Sequence, residues 1–417
     1  MSTVQNVLEV SDWLTLECLR LLKNELFIGG GFNSDFASQY TQEFAVGETI
    51  RVPLPWRPIG GEGMTYDPEP IDRRHYTITV DKVPHVHFEW NSVEQALRLT
   101  RGREAVSEQI LKPAMQKMRQ KIEQYAANWA AIHSPNVVGT LGTNPTTLGF
   151  AGSARSQLLE MGGWTGKKRT CAIAPSVMEA IALAATVTTP LFNPGDEIST
   201  AFKEGYLGRN GGWEMAESMS LKQHTAGTWA SAVTISGSDQ TGSSLLVACT
   251  SGDTWKAGDK VSIAGRYRVN PGTLASITSR VFTFTVLEDV TASAGTATLS
   301  ISPAIEGPGS GYQNISVLPQ NGDVLTLWPG TSSPNGKSGA LGVLFNRDAF
   351  ALCGVKLANP EKGAEIASQN RDPETGIAVA FIRAFDYDER RWINRFDALL
   401  GFGDFYNQNC SVVLAGA

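Results

Sequence analysis

His85 and His87, two residues apart, are the first positions in this chain whose type and spacing could hold a metal ion. On a strand, residues two apart share a face, so both imidazoles would point the same way. No cysteine stands near them, no H-x-x-x-H accompanies them and no third ligand is fixed, so they read as ordinary strand residues. Asp386, Asp388 and Glu389 bring carboxylates close together, as a glycosidase or a calcium site requires. They fall where a hairpin needs a turn, and turn chemistry accounts for aspartate there. The run from Gly330 through Pro334 to Gly336-Lys337-Ser338 has the outline of a phosphate loop. Its glycine spacing is one residue too long, a proline interrupts it, and a strand-like run follows where a helix N-terminus is needed. No G-x-S-x-G, H-E-x-x-H, EF-hand or dinucleotide fingerprint occurs. These residues argue against an enzyme, and neither a metal nor a cofactor is expected.

The elements around these residues follow from periodicity. Residues 92–133 read as one long helix: Ser92 and Gln95 form a capping-box signature, and Val106, Ile110, Ala114, Met118, Ile122, Ala126 and Trp129 make an apolar stripe. Glu108, Lys112, Lys117, Arg119, Lys121 and Glu123 are assigned to its wetted faces. Pro113 predicts a bend, since proline removes a hydrogen bond and clashes with the preceding turn. A helix of roughly 30 to 40 residues spans about 45 to 60 Å, long enough to be a spine. Before it, residues 4–28 form an amphipathic helix ended by Gly29-Gly30-Gly31, packed on its own domain or clasping a neighbour. Residues 44–90 alternate as a long hairpin, whose tip carries Glu62, Asp67, Glu69, Asp72, Arg73 and Arg74 among glycines and prolines. Such a tip is too polar to fold onto itself, and an arm of that kind often lies on another subunit.

Residues 134–154 read as a Gly/Thr/Asn/Pro-rich connection, followed by a strand at 170–174 and a helix at 177–185. Between 225 and 338 helical periodicity disappears. Short alternating runs at 232–235, 244–248, 260–264, 281–287, 296–301 and 323–328 describe a small inserted barrel or sandwich. Strands return at 341–345, 350–357, 376–385, 390–397 and 411–414. The fold class is α+β with an all-β insert.

Composition bounds the function. A hydrophobic share of 42%, a charged share of 18% and a net charge of −6 over 417 residues describe a folded chain without a broad basic surface for nucleic acid. Cys18, Cys171, Cys249, Cys353 and Cys410 contain no C-x-x-C and fit reduced, buried thiols in a cytosolic product. The first residues lack a signal-peptide pattern, and the most apolar window, 171–192, is broken by Pro175, Glu179 and Pro190, so no membrane span is expected. Two other classes fit parts of the chain: a tail-associated or carbohydrate-binding β-protein using Trp255 or Trp328 as sugar platforms, and a glycoside hydrolase using Asp386, Asp388 and Glu389. Neither has a use for the long arm and spine.

The order of parts resembles the major coat protein of tailed double-stranded DNA phages with the Hong Kong 97 shell fold, within it the Salmonella phage P-22-type coat family. The motifs that carry the resemblance are Gly258-Asp-Lys-Val-Ser-Ile-Ala-Gly265, Val281-Phe-Thr-Phe-Thr-Val286 and Val343-Leu-Phe-Asn-Arg-Asp-Ala-Phe350, with the spine at 98–134 similar in length and placement. The resemblance implies an N-terminal arm (1–43), an E-loop hairpin with peripheral-domain strands (44–90), a spine helix (91–134), an axial domain begun at 135–223, an inserted all-β domain (224–337) and closing axial and peripheral strands (338–417). It further implies self-assembly into a shell of hexamers and pentamers, guided by a scaffolding protein, with a portal protein at one vertex. That shell would enclose double-stranded DNA without reading its sequence, in a virion made in the bacterial cytoplasm. In the family the insertion domain supports folding, and a loop in it contacts a neighbouring capsomer; Asp239 lies in the corresponding, shorter segment here. Arg51, Arg57, Asp67, Arg73 and Arg74 become candidates for subunit interfaces, and Asp12 and Glu17 stand about where the family meets its scaffold.

Overall fold

The computed structural model describes residues 5–23, 26–35, 43–44, 46–60, 71–90, 107–163, 169–187, 209–229, 232–328, 335–358, 365–372, 375–386 and 391–416. The chain divides into two compact units. The first comprises Met1–Pro53, His75–Ala126 and Phe350–Asp404, the second Leu54–Arg74, Ala127–Ala349 and Phe405–Ala417.

The first unit is built on one long strand, Arg391–Asp404. Its first half pairs with His85–Trp90 on one side and Ala378–Asp386 on the other, and its second half with His75–Lys82 and Phe350–Leu357. Thr49–Pro53 pairs in turn with His75–Lys82, so the hairpin expected at 44–90 exists at its base, while its last strand joins the sheet instead. Gly401 and Gly403 admit the crossing of His75–Lys82. A Cβ on Gly403 would lie 2.5 Å from Ile78 Cγ1, and one on Gly401 2.9 Å from the Thr79 carbonyl. Gly403→Val is therefore expected to cost about 1–3 kcal/mol by overpacking, read as a lowered urea midpoint with an unchanged slope.

Helix α1, Gln5–Lys23, lies on this sheet. Leu14, Cys18, Leu19 and Leu22 are buried, and Thr15 bonds to Ser368 Oγ at 3.0 Å and accepts from Asn370 Nδ2 at 2.6 Å. The helix is thus packed on its own chain. It stops at Lys23, short of the glycines, which form a 3-10 turn at Gly29–Gly31.

Helix α2, Lys112–His133, is preceded by a π-helical turn, Ser107–Leu111. The widened turn sits directly before Pro113, where a residue without an N–H interrupts the regular ladder. Leu111, Ala114, Met115, Met118, Ile122, Ala126 and Ala130 form the buried face. The part of the spine expected at 92–106 lies outside the described residues.

In the second unit a seven-stranded sheet centres on Ser338–Asn346, buried at every position after Ser338. It pairs with Ser411–Ala415 and with Arg169–Ile173, and at its start with Lys222–Thr225. Asn136–Gly139 runs parallel to Ser411–Ala415, and Trp213–Glu217 parallel to Arg169–Ile173. Helices α3, Gly149–Glu160, and α4, Pro175–Val187, complete this part. The stretch 134–154, expected to be a plain connection, therefore holds a strand and the start of a helix. α3 buries Phe150, Ala151, Ala154 and Leu158, a face built largely from small residues with little periodic signal.

Val233–Ile235, Gly242–Ala248, Thr296–Ile305, Ser276–Val286, Lys260–Val269 and Val324–Leu327 close into a six-stranded barrel, in that order around it. Leu245, Val247, Val261, Ile263, Phe282, Phe284, Leu299, Ile301 and Leu325 fill it. Closure removes every sheet edge, which suits short alternating strands with no helix to cover them. The chain departs for the barrel after Thr225 and returns at Ser338, and those two residues are register partners. The barrel is therefore an insertion between neighbouring strands of one sheet.

Candidate functional site

Three groups of charged side chains stand out, and in each the acceptors and donors point to main chain or to one another. The first is Glu123 on α2, only 5% exposed, which takes the N–H groups of Phe27 and Gly29 on Oε1 (3.0 and 3.1 Å) and that of Ile28 on Oε2 (2.9 Å). Burial raises its carboxyl above the usual range, against the pull of those three N–H groups and Arg119. The wetted face assigned to Glu123 is thus corrected: the charge is turned inward to hold the glycine turn.

The second group joins barrel to sheet. Lys260 opens a barrel strand and is buried, and its ammonium donates to the carbonyls of Ala131 (2.7 Å) and Ile132 (3.2 Å) and to Thr285 Oγ1 (2.8 Å). All three donors are used, and the charge lies at the carbonyl end of α2 where the helix dipole favours a cation. Burial nevertheless pulls its pKa well below the ordinary lysine value. Thr285 Oγ1 passes the chain on to the Ser134 carbonyl at 3.0 Å. Beside it, His224 Nε2 and Asp259 Oδ1 lie 2.8 Å apart and buried, and Asp259 Oδ2 accepts from the Lys256 and Gly227 amides at 2.8 and 3.1 Å. Lys222 donates to the Ala257 carbonyl at 2.6 Å, and Arg280 pairs with Glu160 of α3 at 2.7 Å.

The third group lies where residues 54–60 and 71–74 meet the barrel. Arg74 donates to Asp72 at 2.6 Å and to Glu306 at 2.7 Å, with its guanidinium 4.1 Å from the centre of the Tyr312 ring. Arg57 lies over Tyr312 and Tyr406, at 5.7 and 5.3 Å.

Nothing in these groups forms a catalytic set. His85 and His87 stack with centroids 6.1 Å apart, and among the described residues no three His, Cys, Asp or Glu side chains are placed to hold a metal. A cavity of about 230 Å³ between α3, Asn136–Gly139 and the barrel strand Ser276–Val286 has Gln157, Arg280, Ser153 and Thr283 in its wall, with no histidine, cysteine or carboxylate. Burial pushes the thiols of Cys353 and Cys410 up to about 11 and about 12 and raises those of Cys18 and Cys171 as well, so none is a ready thiolate. Trp255 is fully buried and offers no sugar platform; Trp328 donates Nε1 to the Gly139 carbonyl at 3.2 Å. The side chains of Asp386, Asp388 and Glu389, and most of the run from Gly330 to Ser338, lie outside the described residues.

Of the interface candidates, Arg57 and Arg74 are brought together on Tyr312, Arg51 and Arg73 are exposed, and Asp67 lies outside the described residues. Asp239 accepts from Gln320 Nε2 at 2.7 Å within the barrel, in a left-handed turn with φ of 55°. Glu17 is paired with Arg20 one turn on at 2.7 Å, and the side chain of Asp12 lies outside the described residues. Sequence reasoning missed Glu123 and Lys260, whose partners are far away in the chain; Lys260 did stand in a quoted motif.

A family model described as P22 coat protein, gene protein 5, matches residues 51–411. Among solved structures, the chain is similar to one from Mycobacterium phage Che8, at 9% identity and a TM-score of 0.44 over 94% of this chain and 93% of that one. It is also similar to the capsid of cyanophage P-SCSP1u, at 12% identity and 0.39 over 90% and 85%. A third is the mature capsid of bacteriophage PhiM1, at 12% and 0.38 over 93% and 88%. No curated protein matches the chain.

Proposed function

Because the chain belongs to the P22 coat protein family, it is a major capsid protein that forms a phage shell, and we propose that it closes this shell, as hexamers and pentamers, around double-stranded DNA. The observation that carries the reading is the family match over residues 51–411, which takes in both units and the inserted barrel. In this reading the fold is of the Hong Kong 97 type. The hairpin 44–90 is the E-loop arm, 91–134 the spine, 135–223 with 338–417 the axial domain and its peripheral strands, and the barrel projects from the outer face. Arg51, Asp67 and Arg73 meet a neighbouring subunit, joined by Arg57, Arg74 and Asp239 wherever their contacts within the chain leave an edge free.

Exposed pairs of this kind contribute about 0–1 kcal/mol each, and symmetry makes many such weak contacts sufficient for a closed shell. A net charge of −6 suits a wall that contains DNA without gripping it. A scaffolding protein, met through Asp12 and Glu17 on α1, guides assembly in the bacterial cytoplasm, and a portal protein occupies one vertex. Negative-stain microscopy of the protein alone and co-expressed with its scaffolding partner tests this. Closed shells of uniform size are expected with the partner, and polyheads or irregular shells without it. Protein that stays monomeric under both conditions overturns the proposal.

A further inference from the structure

Residues 54–60 and 71–74 are the two limbs of the arm just beyond its paired base, and both rest on one loop of the chain's own barrel. The limbs are tied to each other by the Leu54 amide on the Arg74 carbonyl at 2.9 Å. Tyr312 is the centre of the seat: its ring receives Arg74 at 4.1 Å and Arg57 at 5.7 Å, and its hydroxyl donates to the Pro55 carbonyl at 3.2 Å. Glu306, at the other end of the same loop, takes Arg74 at 2.7 Å, and Tyr406 supports Arg57 at 5.3 Å. Gly311 completes the fit, because a Cβ there would collide with the Arg57 carbonyl. The loop is itself braced. Asn314 accepts the Glu306 amide at 3.0 Å and donates to the Ala304 carbonyl at 2.7 Å, and Ser310 accepts the Tyr312 amide at 3.1 Å.

We propose that the barrel loop from Glu306 to Tyr312 is an intramolecular strap for the arm, which holds these two limbs in one direction before a second copy of this chain is met. The inference rests on reading 44–90 as an intersubunit arm, and it gives Arg57 and Arg74 a task inside the subunit. Guanidinium groups over aromatic faces and a carboxylate supply the hold. An arm aimed in advance loses less freedom on docking, so assembly proceeds at lower protein concentration. Trp56, Ile59 and Ile71, exposed by 39%, 46% and 65%, stand in the same two limbs and are the apolar side chains offered to the neighbour.

The test uses the full chain. Hydrogen exchange of the unassembled subunit is compared among wild type, Tyr312→Ala, Tyr312→Phe and Arg74→Met. Tyr312→Ala and Arg74→Met are expected to speed exchange at 54–60 and 71–74 by about tenfold while the barrel strands stay protected. Tyr312→Phe, which keeps the ring, stays within about threefold of wild type. Unchanged exchange in these two segments in Arg74→Met, which lies outside the barrel, overturns the strap even if Tyr312→Ala disturbs the barrel. Shell formation by the wild type decides the coat reading separately. Wild-type shells with unaltered exchange in the variants sink the strap alone, and a wild type that never assembles sinks the intersubunit role of the arm.

Discussion

Replacing Lys260 by alanine is expected to cost about 3 kcal/mol of stability, the order expected when buried acceptors lose their donor and a long stem leaves a cavity. Three acceptors are stranded at once: the Ala131 and Ile132 carbonyls and Thr285 Oγ1. Two of them are final carbonyls of α2, which have no intrahelical partner. Lys260→Met separates the contributions. It refills much of the volume but supplies no donor, so a loss of about 2 kcal/mol should persist if the hydrogen bonds matter more than the packing. The pH dependence carries a sign. With the folded pKa below the ordinary 10.5, the unfolded chain holds more protons between the two values, so stability rises with pH across that window. The buried thiols titrate in the same alkaline range in both proteins, so the effect is read as a difference: urea unfolding from neutral to alkaline pH should show the wild type gaining stability relative to Lys260→Met. Equal midpoints for the two proteins at neutral pH would refute the structural role of the ammonium.

The same contact explains how an insertion and its host sheet come to depend on one another. Lys260 is a barrel residue that finishes a helix of the host, and Thr285, another, bonds the Ser134 carbonyl just beyond that helix. Asp259, next to Lys260, organises the exit from the sheet through the Gly227 amide and pairs with His224 on the departing strand. Adjacent residues at the start of one barrel strand, Asp259 just before it and Lys260 its first, thus complete two separate parts of the host. A barrel joined only by its two connecting strands could be deleted with little consequence to the sheet; one that caps a helix could not.

How much of this was legible depended on the reach of each interaction. The six barrel strands could be read because apolar and polar residues alternate locally, as in Val281 to Val286, where Phe282, Phe284 and Val286 are separated by Thr283 and Thr285, although all five are buried. Helix α3 was hidden because Ala151 and Ala154 pack closely without a large apolar stripe. The strand Glu365–Arg371 was missed as well, since Ser368, Gln369 and Asn370 carry polar side chains, and Ser368 is buried against Thr15 of α1. Glu123 misled for a related reason: charge on a helix was taken to mean solvent, whereas the partners that reward its burial are backbone amides more than ninety positions away. The destinations of Arg57 and Arg74 were equally invisible, because Tyr312 and Glu306 come more than two hundred residues later and only the folded chain brings them together. Patterns that repeat within a strand survive in a single sequence, and polar pairings across the fold do not.

The second large effect is expected at Glu123, where alanine should cost about 3 kcal/mol by leaving three amides without an acceptor. Those amides belong to Phe27, Ile28 and Gly29, the connection that follows α1. Glu123→Gln should cost less, about 1–2 kcal/mol, because a single carbonyl oxygen keeps two of the bonds while the amide nitrogen faces the third donor. The pH dependence runs opposite to that of Lys260. A carboxyl raised above 4.5 in the folded chain contributes stability that is fully present below that value and is lost as pH rises through the folded pKa. Glu123→Gln removes this titration, so the difference between wild type and variant should change with pH above 4.5 and level off once the folded carboxyl is ionised. If the difference stays flat throughout, the carboxyl is not raised, and the three amides offset its burial. Loss of the clamp should also appear locally, as faster exchange of the Ile28 and Gly29 amides in Glu123→Ala while Ile78 and Val80 in the sheet remain protected.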